Sequence, residues 1–257
     1  MRPLIAGNWK MHGLRADLTE IESIAAAAAE LQPDVDILVC PPATLIAEAA
    51  RIAGGRIAIG GQDCHTEASG HHTGDISAEM LRDAGASAVI AGHSERRRDH
   101  GETNALVAAK ASAARRAGLL AIVCVGETES QRADGDALSI CGGQIVASVP
   151  IGMTEEADLA IGYEPLWAIG SGRVPTSHEI VQMHAHIRKC LVTHLGPHGK
   201  TVRILYGGSV NPADAREILA LPGVGGALVG GASLKAVDFL SIVASAPSVS
   251  SRRLDVA

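Results

Sequence analysis

Short β-branched runs alternate with longer alanine- and leucine-rich amphipathic stretches along the whole chain, the pattern of repeated βα units. Eight strands are predicted: Pro3–Gly7, Asp36–Cys40, Arg56–Gly60, Ala88–Gly92, Leu120–Val125, Asp158–Tyr163, Val202–Tyr206 and Gly226–Gly230. Helical spacing marks the intervals, as in Asp17–Gln32, which places Ile21, Ile24 and Leu31 on one face, and in Thr103–Ala117, where Thr103 can cap the amino end. Dividing 257 residues by eight gives roughly 32 per unit, room for a strand, a loop, a helix and the return. The expected fold is α/β, a single-domain (β/α)8 barrel over residues 1–245, with a Ser-rich frayed tail over 246–257. A doubly wound open sheet competes, but it usually carries Gly-x-Gly-x-x-Gly after its first strand, and Gly7-Asn8-Trp9-Lys10 is not that turn.

Composition narrows the partners. The formal net charge is −6 and the pI about 6.0, which gives no reason to expect nucleic acid or a membrane surface; a small anionic substrate remains open if its site is locally basic. The apolar run at the amino terminus is too short for a signal peptide and no segment reaches transmembrane length, so a cytoplasmic protein is expected. Five cysteines at scattered spacings (Cys40, Cys64, Cys124, Cys141, Cys190) suit reduced thiols, not a disulfide framework or a zinc knuckle. Of five aromatics, Trp9, Tyr163, Trp167 and Tyr206 lie within a few residues of Lys10, Glu164 or Gly207-Gly208, so the core is expected to rest on Ala, Val, Ile and Leu.

The candidate chemistry collects where the predicted strands end. Glu164 follows an apolar run and precedes Pro165, which ends the strand because it has no N–H; Gly170 and Gly172 then close a loop. This is the layout of a base beside a lid. Lys10 is the sole lysine in the first 109 positions, and its place leaves two readings, a salt-bridged surface lysine or a fixed cation beside an anionic substrate. His93 follows Ala88–Gly92 directly, and Ser94 can cap a helix opening at Glu95, so the imidazole would lie at a helix amino end that favours a neutral ring. The remaining histidines lack the spacing of a zinc helix, and no metal is expected. Glycine pairs at Gly207-Gly208 and Gly230-Gly231 each follow a strand; either alone is an ordinary turn, while both at neighbouring strand ends describe a phosphate site.

Gly7-Asn8-Trp9-Lys10-Met11, Gly92-His93-Ser94-Glu95-Arg96-Arg97, Cys124-Val125-Gly126-Glu127-Thr128, Tyr163 through Gly170, Tyr206-Gly207-Gly208-Ser209-Val210 and Leu228 through Leu234 together resemble the triosephosphate isomerase family, over Gly7 to about Leu240. The resemblance implies a TIM barrel that interconverts dihydroxyacetone phosphate and D-glyceraldehyde 3-phosphate through an enediolate, a step of glycolysis and gluconeogenesis, with no metal or organic cofactor. It implies Glu164 as the base and His93 as the neutral electrophile, the pair of roles known for this family. Lys10 would stabilise negative charge, Asn8 orient the substrate, and Glu95 stand behind them. The amides of Gly170, Ser209, Gly230 and Gly231 would hold the phosphate, and Cys124 would pack beside the base. The lid would run from Pro165 to Pro175 with Trp167, Ile169 and Gly172, latched by Tyr206. A homodimer is implied, in which Thr73 reaches the neighbour's site and Asp75 pairs with the neighbour's Arg96.

Departures from the family pattern are local. Pro175 cannot offer the amide that Tyr206 would bind in a closed lid, which implies a stiffer hinge and an altered latch. His72 stands where phenylalanine is usual and would make the subunit contact more polar and pH-sensitive. Gly225 replaces an acidic residue, with no functional consequence expected. Two alternatives remain: an isomerase of a four-carbon sugar phosphate such as an erythrulose phosphate, and a silent phosphate-binding barrel.

Overall fold

The computed structural model of the chain describes residues 1–31, 34–153, 155, 158–169 and 173–247. Its strands are β1 (Leu4–Asn8), β2 (Asp36–Cys40), β3 (Ala58–Gly61), β4 (Ala88–Ala91), β5 (Leu120–Val125), β6 (Leu159–Tyr163), β7 (Arg203–Tyr206) and β8 (Gly226–Val229). Helices α1 (Leu18–Leu31), α2 (Ile46–Ala53), α3 (Ala78–Asp83), α4 (Ser94–Asp99) and α5 (Asn104–Arg116) fill the first half. The second half holds α6 (Glu129–Ala133), α7 (Ala137–Ser148), α8 (Ser177–Leu195), α9 (Ala215–Ala220) and α10 (Ala236–Ala244). Each strand pairs in parallel with the next, and β8 returns to β1 with Gly226 opposite Leu4. The sheet therefore closes into the expected (β/α)8 barrel, in which each of these strands is paired on both edges.

Side-chain alternation separates two apolar regions. In β5, Leu120, Ile122 and Cys124 join the cluster inside the barrel, while Ala121, Val123 and Val125 join the layer shared with the helices. Small residues such as Ala6, Cys40, Ala88 and Ala160 sit in the interior with Leu38, Ile90 and Leu205, filling a space only side chains wide. Outside, α1 buries Ile21, Ile24, Ala25 and Ala28, the spacing of one helical face. Thr103 caps α5 by accepting the Leu106 N–H at 3.2 Å.

The strands match their predicted positions closely, with one instructive slip. Arg56 and Ile57 belong to the turn leaving α2, because Gly54 ends that helix at φ 55° and the Arg56 amide still donates to the Ala53 carbonyl at 3.0 Å. The expectation about aromatics also needs correction: Trp9, Tyr163 and Tyr206 are fully buried, along with Phe239, so they serve the core as well as the strand ends. At the carboxyl end Ala246 packs on the outer layer, and 248–257 of the expected tail lie outside the described residues. No helix of the described residues is long and apolar enough to cross a membrane.

Candidate active site

All the strand ends that the sequence singled out open on one mouth of the barrel, the face where such folds keep their chemistry. Asn8 is the last residue of β1, His93 follows β4 by two residues, and Glu164 immediately follows β6. Gly92 makes the turn out of β4 at φ 68°, where a Cβ would strike the Val107 side chain. The helix that follows starts one residue earlier than the sequence suggested: Ser94 is its first residue, and His93 is its cap, with Nδ1 accepting the Glu95 N–H at 3.3 Å.

That hydrogen bond decides the tautomer of His93. With Nδ1 acting as an acceptor, the proton of the neutral ring sits on Nε2, which meets Glu164 Oε1 at 2.9 Å. The ring and the carboxylate are both nearly inaccessible to water. Ser94 donates its backbone N–H to Glu164 Oε2 at 2.9 Å and its hydroxyl to Oε1 at 3.0 Å. Burial alone would raise the Glu164 carboxyl, but the His93 imidazole and the two Ser94 donors outweigh it and hold the group below its ordinary range. Cys124 lies against this carboxylate; burial first, and then the Glu164 charge, push its thiol far up, so it packs as a neutral group.

A cleft of about 410 Å³ opens beside this pair, lined by Asn8, Lys10, His93 and Glu164 together with the turns from Gly207 to Asn211 and Gly230 to Ala232. Lys10 Nζ meets Glu95 Oε1 at 2.6 Å, and its backbone N–H donates to Asn8 Oδ1 at 3.0 Å. A Cβ on Gly230 would lie 3.5 Å from Lys10 Cε, so the lysine stem crosses the glycine turn directly, and a Cβ on Gly231 would meet nothing within 4 Å. Cation and glycine turn thus share one end of the cleft. The Trp9 indole N–H donates to the Ser233 carbonyl at 3.0 Å and ties the end of β1 to the turn after β8.

Beyond Glu164, Pro165 and Leu166 lead to Trp167, whose indole N–H donates to Glu127 Oε1 at 2.8 Å. Glu127 is fully buried and also accepts from Arg132 at 2.9 Å and from the Tyr163 hydroxyl at 3.2 Å. The anchoring role of Glu127 was missed from the sequence, although it stands two residues beyond β5 and the rule that selected Glu164 would have selected it. Ile169 lies at the edge of the cleft. Gly170 and Gly172, with Ser171, lie outside the described residues. Tyr206 is buried, and its hydroxyl makes no hydrogen bond among the described residues.

Thr73 and Asp75 are exposed in the loop before α3, and Arg96 is held within the chain by Asp63 at 2.8 Å and Glu102 at 2.6 Å. One trio among the described residues is close enough to share a metal ion, His65, His72 and Asp75. His65 Nδ1 accepts the Glu67 N–H at 3.0 Å, which leaves the proton on Nε2 where it faces Asp75 at 3.8 Å. A nitrogen that carries its proton has no lone pair for a metal.

An imidazole N–H and a carboxylate side by side can take a proton from carbon, return it to the neighbouring carbon and stabilise the oxyanion formed between. With an anion cradle in the same cleft, the barrel defines an intramolecular isomerase. The family model for triosephosphate isomerase matches residues 3–246. A triosephosphate isomerase from Afipia carboxidovorans is 59% identical over 248 residues, covering 96% of this chain and 98% of that protein. One from Rhodopseudomonas palustris is 56% identical over 250 residues, with the same coverage of 96% and 98%. The crystal structure of triosephosphate isomerase from Bartonella henselae superposes with a TM-score of 0.89 at 46% identity, covering 95% of this chain and 99% of that one. The chain belongs to the triosephosphate isomerase family.

Proposed function

We propose that the protein interconverts dihydroxyacetone phosphate and D-glyceraldehyde 3-phosphate, with Glu164 as the base and His93 as the electrophile. The observation that carries this reading is the 2.9 Å contact between His93 Nε2 and Glu164 Oε1 at the edge of the cleft that holds the glycine turns. The substrate phosphate rests on the amides of Gly170, Ser209, Gly230 and Gly231, and Lys10 offsets its charge. Asn8 and Glu95 fix the reacting end and the lysine. Glu164 takes a proton from the carbon beside the carbonyl, while the Nε2 proton of His93 bonds the carbonyl oxygen and stabilises the enediolate; His93 passes that proton to the former carbonyl oxygen and takes the hydroxyl proton of the neighbouring oxygen, and Glu164 returns its proton to the other carbon. Glu164 must first give up Ser94, since both of its oxygens are engaged there. Closure of the lid over residues 165–175 keeps water from the enediolate, which otherwise eliminates phosphate.

The same reading carries a cytoplasmic homodimer. Met11, 94% exposed, lines one cleft with Asp75 and Arg96 and supports a subunit contact there. Turnover of glyceraldehyde 3-phosphate by the purified protein and by Glu164→Gln tests the assignment, with an erythrulose phosphate in parallel. Triose turnover that falls by about 100-fold or more in the variant is expected, the weight a general base carries. An inert triose alongside a reactive tetrulose overturns the substrate, and inertness toward both overturns the enzyme.

A further inference from the structure

The proposed lid is tied to the segment after β5 at both of its ends. At the near end the Leu166 N–H donates to the Glu127 carbonyl at 3.1 Å, beside the bond from Trp167 to the Glu127 side chain. At the far end Arg173 Nη2 meets Glu129 Oε1 at 2.5 Å, and the same guanidinium lies 5.7 Å from the Trp167 ring centroid. Glu129 opens α6, and that helix start is fixed by a capping box: the Thr128 hydroxyl accepts the Gln131 N–H at 3.3 Å, and the Gln131 side chain accepts the Thr128 N–H at 2.9 Å. One partner of the ion pair therefore belongs to the frame and the other to the segment that has to move. The cleft is bordered by Ile169 and by the turns after β7 and β8, and α6 stands apart from it. Drawing residues 165–175 across the cleft takes Arg173 away from Glu129.

From this geometry we propose that the Arg173–Glu129 pair is a latch that holds the proposed lid back, so that each closure over a phosphate ligand breaks it. The inference rests on the lid of the isomerase reading. Neither residue touches substrate; together they set how often the lid closes. Their side chains are 51% and 67% exposed, so the pair has the weight of an exposed ion pair, about two- to fivefold in an equilibrium, and salt weakens it.

A double-mutant cycle isolates the pair from the general effect of each charge on an anion. Glu129→Gln, Arg173→Gln and the double variant are compared with the parent by titration calorimetry with glycerol 3-phosphate, an unreactive analogue. Glu129→Gln is expected to tighten binding about threefold more with Arg173 present than with Arg173→Gln, and this difference is expected to vanish at about 0.5 M salt. Equal effects in the two backgrounds, or weaker binding when the pair is lost, overturn the latch, since support of the fold would not tighten a ligand. A second readout needs no ligand: Trp9 is fully buried, so acrylamide quenching of the indole emission reports Trp167. Quenching is expected to rise in Glu129→Gln, and unchanged quenching overturns the tether. A parent that turns over no triose would remove the isomerase reading, while the quenching series would still decide whether Glu129 holds Arg173 over the ring.

Discussion

Ser94 holds Glu164 with two donors, its amide on one carboxylate oxygen at 2.9 Å and its hydroxyl on the other at 3.0 Å. Glu164 is therefore held as a carboxylate in a place that excludes water, where an unpaired charge would be costly. Ser94→Ala deletes one donor while α4 and its His93 cap remain. Because the folded Glu164 sits below its ordinary value of 4.5, the stability it contributes is full above that pH and fades as pH falls through the folded value. Losing the hydroxyl moves the folded value back up, so the acid limb of the kcat/KM profile shifts to higher pH. Stability at pH 7 drops by about 1–2 kcal/mol. A pH–rate series with denaturant unfolding of both proteins checks this, and an unmoved acid limb would mean that the hydroxyl does not set the ionisation of Glu164, the proposed base.

The anchor of Trp167 gives a second expectation. Its N–H reaches a fully buried Glu127, and the Arg132 guanidinium lies 4.6 Å from the indole centroid. Trp167→Phe keeps the ring and deletes the hydrogen bond, worth about 1.5–3 kcal/mol to a charged acceptor. Glu127 retains Arg132 and the Tyr163 hydroxyl, so the fold is spared and the loss falls on the proposed lid. If closing the lid breaks this bond, its removal favours closure, and glycerol 3-phosphate, an inert analogue, should bind about tenfold tighter or more. Titration calorimetry reads the change, and weaker binding would place the anchor in the closed state instead.

His184 in α8 is fully buried, bonded through Nδ1 to the Gly223 carbonyl at 3.2 Å, while its Nε2 has no partner among the described residues. Burial pushes its imidazole down to about 4 from 6.5. An unfolded chain binds a proton at this position below pH 6.5 and the folded chain does not until about pH 4, so folding stability falls as pH drops through that interval. The full effect is about 3 kcal/mol, reached near the lower limit. His184→Gln can still donate to Gly223 but cannot titrate. Denaturant unfolding at several pH values should show a flatter acid slope in the variant, whatever its stability at pH 7.

How much of this was legible beforehand depends on the range over which each signal acts. The strand ends at Lys10, His93 and Glu164 could be read because an apolar run followed by a polar residue and a glycine or proline is a local pattern. Ser94 looked like a cap for a local reason too, since serine before an acidic helix start usually is one. What overrode it was a carboxylate 70 positions away that claimed both of its donors. Gln62, the residue after β3, carried no signal at all; its amide donates to the Lys10 carbonyl 52 residues off in sequence, brought near by the closure of β1, β2 and β3 into neighbours. The burial of Trp9 and Tyr206 was missed for the same reason, since nearness to functional residues in sequence does not reveal which way a ring points.

Tyr206 carries the last expectation. Its hydroxyl is buried without a partner among the described residues, and Pro175, at the far end of the proposed lid, has no N–H to offer it. Where a hydroxyl has no partner in either state of the lid, deleting it removes a desolvated polar group and costs nothing in binding. Tyr206→Phe should therefore leave kcat/KM within about threefold and stability unchanged or up to about 1 kcal/mol higher. Pro175→Ala restores an amide at that position, and in this background the same Tyr206→Phe change should lower kcat/KM by about tenfold, the value of one hydrogen bond formed on closure. Steady-state kinetics on the four proteins measure the coupling. A large loss from Tyr206→Phe alone would instead mean that the closed lid supplies Tyr206 with a partner other than the residue 175 amide, and that the proline has redirected the latch without abolishing it.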